Sequence, residues 1–151
     1  MSFDTHAGTR GIKPPSGPVM RLMNKVMAGR AGKSAKTMGL SSLALTTVGA
    51  KSGAKRVVPV AWFPGPEGSW LVVASAGGSA KNPAWYHNIA AHPDQVTIQV
   101  EGRAIPVVAD QLHGPERAEA WQQITTAAPR FAGYQQKTDR ELPVIRLVTR
   151  S

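Results

Sequence analysis

Gln95-Val96-Thr97-Ile98-Gln99-Val100-Glu101-Gly102-Arg103 decides the fold. The alternation puts Val96, Ile98 and Val100 on one face of a half-buried strand. Glu101-Gly102-Arg103 then turns the chain back through Ala104 to Ala109, an antiparallel pairing in which Pro106 argues for a sheet edge. Working upstream, Leu40 to Val48 is a Leu- and Thr-rich strand that ends at Gly49. Arg56 to Phe63 is a second strand, and Pro64-Gly65-Pro66-Glu67-Gly68 closes a hairpin to a third, Trp70 to Ser75. Asn82 reads as the cap of a helix with Pro83 at its first position, running to about Ala91 and stopping at His92-Pro93. Downstream, Gly114-Pro115 opens a helix with Ala118, Trp121 and Ile124 on one face. Ala128-Pro129 breaks it, a short aromatic segment follows from Phe131 to Tyr134, and Pro143 to Val148 makes a last strand. Strands that arrive singly and as hairpins disfavour a doubly wound parallel sheet. The expected fold is a small α+β antiparallel barrel with helices packed outside.

A chain of 151 residues is most simply one domain, large enough to bury a core without staples. Residues 1–15, with Gly8, Gly11 and Pro14-Pro15, read as a mobile tail, and residues 16–151 as the domain. Within it, residues 16–31 read as a basic amphipathic helix. Val19, Leu22, Met23, Val26 and Met27 share a face, and Arg21, Lys25 and Arg30 lie between them. Such a helix packs on its own domain or lies on a lipid surface. There is no cysteine, which excludes disulfides and thiolate metal sites. No apolar run approaches the roughly 18 residues of a membrane span, and the first residues lack the order of a secretory signal. A cytoplasmic protein, monomer or homodimer, is expected.

The net charge of +9 is localised. Residues 1–56 hold ten Lys/Arg against the single acid Asp4, whereas residues 57–151 hold eight of each. A field polarised in this way attracts an anion: nucleic acid, an acidic membrane surface or an anionic small molecule. Several catalytic readings fail. Gly32-Lys33-Ser34 lacks the upstream glycine and the preceding strand of a phosphate loop. No Gly-x-Gly-x-x-Gly joins a strand to a helix. His6, His87, His92 and His113 show no metal-ligand spacing, so no metal is expected. Without cysteine or Gly-x-Ser-x-Gly, nucleophilic hydrolysis has no machinery. Redox chemistry carried by a bound cofactor is the natural alternative.

Two stretches suit such a cofactor. In Gly49-Ala50-Lys51-Ser52-Gly53-Ala54-Lys55-Arg56, the glycines open turn conformations that expose N–H groups to an anion. Lys51 adds a point charge, Ser52 a hydroxyl and Arg56 a planar fork suited to a phosphate edge. In Asn82 to Asn88 a helix start, with its free N–H groups, carries Trp85, Tyr86 and His87. An ordinary basic turn and a helix packed by Trp85 and Ile89 are the plainer alternatives.

Taken in order, Leu45 to Arg56, Ala74-Ser75-Ala76-Gly77-Gly78, Lys81 to Asn88 and Tyr134 to Pro143 resemble the deazaflavin-dependent nitroreductase family of actinobacteria. The resemblance spans about residues 40–148. It implies a split β-barrel, as in flavin-nucleotide-binding proteins, and the deazaflavin coenzyme F-420 as hydride carrier. That coenzyme's phosphodiester and glutamate tail fit a chain whose excess cations are gathered at one end. By position, Lys51, Ser52 and Arg56 would hold the phosphate, with Val57, Val58, Pro59 and Val60 along its path. Ala74, Ser75 and Ala76 would touch the ring, closed on the other side by Trp85, Tyr86, His87 and Asn88. Family members present several tyrosines to the substrate; here Ala128, Phe131 and Tyr134 stand in those places, a less polar recess suited to a quinone or an enone. The expected activity is hydride transfer from the reduced coenzyme to such an electron-poor acceptor, with nitroaromatics as a further class. Ser75 would stabilise developing charge, and Tyr134 or water would supply the proton. Two rival readings stand beside it: a non-enzymatic barrel that binds a cofactor or a fatty acid, and a nucleic-acid binder. The second is disfavoured because the aromatics lie mostly outside the basic third.

Overall fold

The computed structural model describes residues 3–11, 36–37 and 40–150. The helix expected over residues 16–31, with its lipid-facing alternative, lies outside these residues. Among the described residues eight strands form one antiparallel sheet: β1 (Lys36–Thr37), β2 (Leu40–Val48), β3 (Lys55–Ala61), β4 (Phe63–Pro64), β5 (Trp70–Val73), β6 (Val96–Val100), β7 (Arg103–Gln111) and β8 (Val144–Thr149). Their order is β1-β2-β6-β7-β8-β5-β4, with β3 paired to β2 over its full length. The sheet curls so that β3 comes against β5 without ladder bonds, leaving the barrel split along that seam. Three helices are described: α1 (Ala84–Ala91), α2 (Gly114–Ala127) and α3 (Arg130–Gln136). None of them is long and apolar enough to cross a membrane.

Strand periodicity builds two cores. Leu43, Leu45, Val72, Val96, Ile98, Val100, Val107, Ile145 and Leu147 face the barrel interior, which Trp85, Tyr86 and Ile89 of α1 close. The intervening residues of β5 and β8, Leu71, Val73 and Val144, face outward. There they meet Ala120 and Ile124 of α2, Ala128, and Phe131 of α3. Strand β5 is thus buried on both faces, which explains its unbroken Leu71-Val72-Val73 run. Ala120, rather than the expected Ala118, is the small residue that α2 buries. The aromatic segment read between Phe131 and Tyr134 belongs to α3.

Three local expectations are corrected. Pro106 does not lie on an edge strand, because β7 pairs with both β6 and β8. Its carbonyl accepts the N–H of Arg150 at 2.8 Å, just past the end of β8. N and O of a strand residue point the same way, so the missing N–H also faces that side and no bond to β6 is lost. Asn82 does not cap α1: Pro83 is the N-cap, and the Asn82 side chain turns to Thr5 and Arg140. Finally, residues 3–11 of the expected tail lie along the domain. Phe3 packs edge-on against Tyr86 with ring centroids 5.8 Å apart. The Thr5 amide donates to the Tyr86 hydroxyl, and the Thr9 hydroxyl and amide donate to Asp139. The Thr9 hydroxyl, then its amide, hold the Asp139 carboxyl down at about 2. A depressed carboxylate stabilises above its ordinary range, so this tether goes only as the pH falls from near 4 toward 2.

Candidate active site

The basic stretch is the β2–β3 turn. Gly49 N–H donates to Ala54 O at 2.7 Å, and Gly53 N–H to Gly49 O at 3.0 Å. Gly53 supplies the left-handed conformation expected of both glycines, at φ +71°. Gly49 supplies room instead, since a Cβ there would meet the Ser52 hydroxyl at 2.5 Å. That hydroxyl accepts the Ala54 N–H, which orders the turn and leaves its own proton to give. Lys51, Lys55 and Arg56 are exposed, and among the described residues none of them enters an ion pair.

The turn is tied to α1 by a buried side chain. Asn88 accepts the Ala50 N–H through Oδ1 at 3.0 Å and donates from Nδ2 to Thr47 Oγ1 at 3.1 Å. One donor and one acceptor of the Asn88 amide are thus used to fasten the turn to α1. Between the turn and α1 lies a cavity of about 860 Å³, lined by Gly49–Ser52, Lys55–Val58 and Ala84, Trp85, His87 and Asn88.

A smaller cavity of about 260 Å³ continues along β3. Pro59, Val60 and Ala61 line it with Val73, Ser75–Gly77, Pro83, Trp85, Arg130, Phe131 and Tyr134. Strand β3 therefore walls both cavities, and Trp85 borders both. One end is cationic. The other is aromatic and carries a single lining cation, Arg130, with Tyr134 edge-on to Phe131 at 5.4 Å and the Lys137 ammonium 5.7 Å from the Tyr134 ring.

Most of the residues singled out in the sequence converge on this groove, and three do not. Tyr86 is buried in the barrel, donating its hydroxyl to Gln111 Oε1 at 2.6 Å. Ala74 is fully buried, its N–H bonded to Pro143 O. Ala128 is packed among Phe63, Ile124 and Phe131 in the outer core and lines neither cavity.

Sequence reasoning missed Arg140. Its side chain is 2% exposed. Nε donates to Ser79 O at 3.1 Å, Nη1 to Ala74 O at 2.9 Å and Asn82 Oδ1 at 2.7 Å, and Nη2 to Ser75 O at 2.9 Å. Burial pushes the guanidinium below its ordinary value, partly offset by the Tyr86 hydroxyl. Arg140 stands between Asp139 and Glu141, a pattern that reads as a solvated surface charge. Only contacts across more than fifty residues of chain reveal otherwise.

Residues 19–149 match the family model described as F420H(2)-dependent quinone reductase. The chain belongs to that family. It is 38% identical over 112 residues to the F420H(2)-dependent quinone reductase Rv1261c of Mycobacterium tuberculosis, covering 72% of this chain and 74% of the relative. Among solved structures, an F420-H2 dependent reductase (FDR-A) shares 41% identity with a TM-score of 0.63. That match covers 70% of this chain and 92% of the other. A second, described as a domain-swapped dimer, shares 35% identity with a TM-score of 0.65 over 85% and 96% of the two chains. The heme storage protein HutZ of Vibrio cholerae, 18% identical with a TM-score of 0.53, shares the fold alone.

Proposed function

We propose that the two cavities are one elongated site for coenzyme F-420, its phosphate at the β2–β3 turn and its ring in the smaller cavity. The observation that carries this reading is β3 itself. A single strand walls a cavity with three cations and then an aromatic one with a single arginine, with Trp85 bordering each. The donor set fits an acidic handle joined to a flat ring: two lysines, an arginine, a serine hydroxyl and turn N–H groups precede an aromatic slot.

The chain is an F420-dependent quinone reductase. When bound, the coenzyme supplies the hydride. Lys51, Ser52 and Arg56 hold the phosphate, while Asn88 keeps their turn in register with α1. Val57 and Val58 border the path, and Pro59 and Val60 exclude water from the ring end. Ser75 and Ala76 present backbone and hydroxyl donors there. Tyr134, at the wall beside Phe131, holds a proton within the smaller cavity for the acceptor's developing oxygen anion. Conjugated enones and nitroaromatics are further acceptors on this reading, and His87 lies near the handle rather than the ring.

Tryptophan fluorescence tests the site directly, because Trp85 borders both cavities. Titration with the coenzyme should quench emission to saturation, and the loaded protein should reduce menadione while NADPH gives little rate. Absence of quenching, or equal rates with NADPH, overturns the proposal. Replacing Asn88 separates its tether from ligand contact. Asn88→Ala leaves the Ala50 N–H and Thr47 hydroxyl unpaired and should cost about 1–3 kcal/mol of stability. Asn88→Asp keeps the Ala50 bond but sets a negative charge beside the phosphate turn, so it should be the more stable variant and the weaker coenzyme binder. Equal coenzyme affinity in the two variants counts against this placement of the phosphate.

A further inference from the structure

Arg140 is a buried cation whose guanidinium meets no carboxylate. Among the described residues no ion pair includes it; Asp139 is turned to Thr9 and Arg10, and Glu141 to Arg117. Its four bonds go to three carbonyls and one amide oxygen. A charge buried without a counter-charge is costly, and here the cost is offset only by the four acceptors that the guanidinium gathers.

The loop it grips lines the smaller cavity through Ser75, Ala76 and Gly77. Every peptide here is trans, so each C=O points opposite to the N–H of the next residue. Drawing the carbonyls of Ala74 and Ser75 onto Arg140 therefore turns the N–H groups of Ser75 and Ala76 away from it, and both residues line the smaller cavity. The backbone agrees: Ser75 is right-handed at φ −79°, ψ −36°, and Ala76 left-handed at φ +46°. This handed pair makes a concave nest of N–H groups that favours an anion or a carbonyl oxygen. A left-handed alanine is strained, and it is held from both sides: the Ser75 carbonyl takes one Arg140 bond and the Gly78 N–H at 2.9 Å, and the Ala76 carbonyl takes the Ser79 N–H at 3.1 Å. The far side of the loop is equally confined, because a Cβ on Gly78 would lie 2.7 Å from Tyr134 O.

We propose that Arg140 is the positioning residue of the ring end: it aims the Ser75 and Ala76 N–H groups into the smaller cavity and puts an uncompensated positive charge behind them, so that the carbonyl-bearing edge of a bound ring is held for hydride transfer. This rests on the coenzyme site described above and assigns that site's orientation to a residue that lines neither cavity. Arg140's planar fork reaches four acceptors, and a lysine ammonium cannot span them.

The test compares Arg140→Lys and Arg140→Met with the parent. Three readings are taken: coenzyme affinity by tryptophan quenching, single-turnover hydride transfer to menadione, and amide exchange of residues 74–79 without coenzyme. Affinity should change by less than about threefold, because the charge-assisted phosphate bonds are untouched. Hydride transfer should slow by at least about tenfold in the lysine variant and further in the methionine variant, since small misplacements of a reacting ring are costly. Exchange at residues 74–79 should rise in both. If the methionine variant has no cooperative melt, the lysine variant decides alone. Parent-like hydride transfer in Arg140→Lys, with only a lowered melting temperature, makes Arg140 a structural brace and overturns the proposal. A parent protein that fails to bind the coenzyme refutes the underlying site instead, so the two failures are distinguishable.

Discussion

Replacing Lys51 and Arg56 together with alanine should weaken coenzyme binding by about a hundredfold while leaving the fold intact. Charge-assisted bonds to phosphate are worth about 1.5–3 kcal/mol each. Both side chains are exposed, so solvent screening takes the lower end, about tenfold per residue. The two act on one phosphate from neighbouring positions, and their losses should roughly add. The melting temperature should not fall, because both side chains are exposed and neither has an ion-pair partner among the described residues. The salt dependence of binding should shrink in parallel, as screened charges are what the variant lacks. Fluorescence titration at two ionic strengths with a thermal melt measures all three, and unchanged affinity in the double variant removes the phosphate assignment.

Trp85→Ala should be the most damaging single change in the groove. The side chain is 8% exposed, packs into the barrel core and borders both cavities. Truncating a buried tryptophan costs about 3–5 kcal/mol through lost transfer energy and the cavity left behind. For a domain of this size that is a drop on the order of 10 °C in melting temperature. A shared border of the two cavities disappears with it, so coenzyme affinity should fall and most of the fluorescence response should vanish. Trp85→Phe, which keeps a flat apolar body, should recover much of the stability. A melt of Trp85→Ala within a degree or two of the parent would mean that Trp85 does not seal the barrel.

Strand-level features were readable wherever one face is buried and the other wet. Val96-Thr97-Ile98-Gln99-Val100 alternates because the barrel interior takes every second residue, and its burial follows that alternation. The basic turn was readable too, since glycine, lysine and serine between two apolar runs leave few other conformations. Pro106 misled because edge position was judged from the residue alone. What matters is which side its nitrogen faces, and β8 ends just before that point. Asn82 misled in a similar way: a capping residue beside Pro83 has a local partner available, but Arg140 and Thr5 outcompete it. Tyr86 was assigned to the site by the resemblance, as part of the run Trp85 to Asn88, yet successive helical residues point about 100° apart, and Gln111 receives its hydroxyl inside the barrel.

Taken alone, the order of residues determined the antiparallel hairpins, the cationic turn between two apolar strands and the family, because each depends on neighbours in the chain or on short motifs. Tertiary structure alone decided that β3 walls two cavities, that Asn88 fastens the turn, and that Arg140 grips the carbonyls behind Ser75. Those depend on hydrogen bonds between groups roughly 40 to 65 residues apart, for which local pattern carries no signal: a buried guanidinium and a solvated one have the same neighbours in the chain.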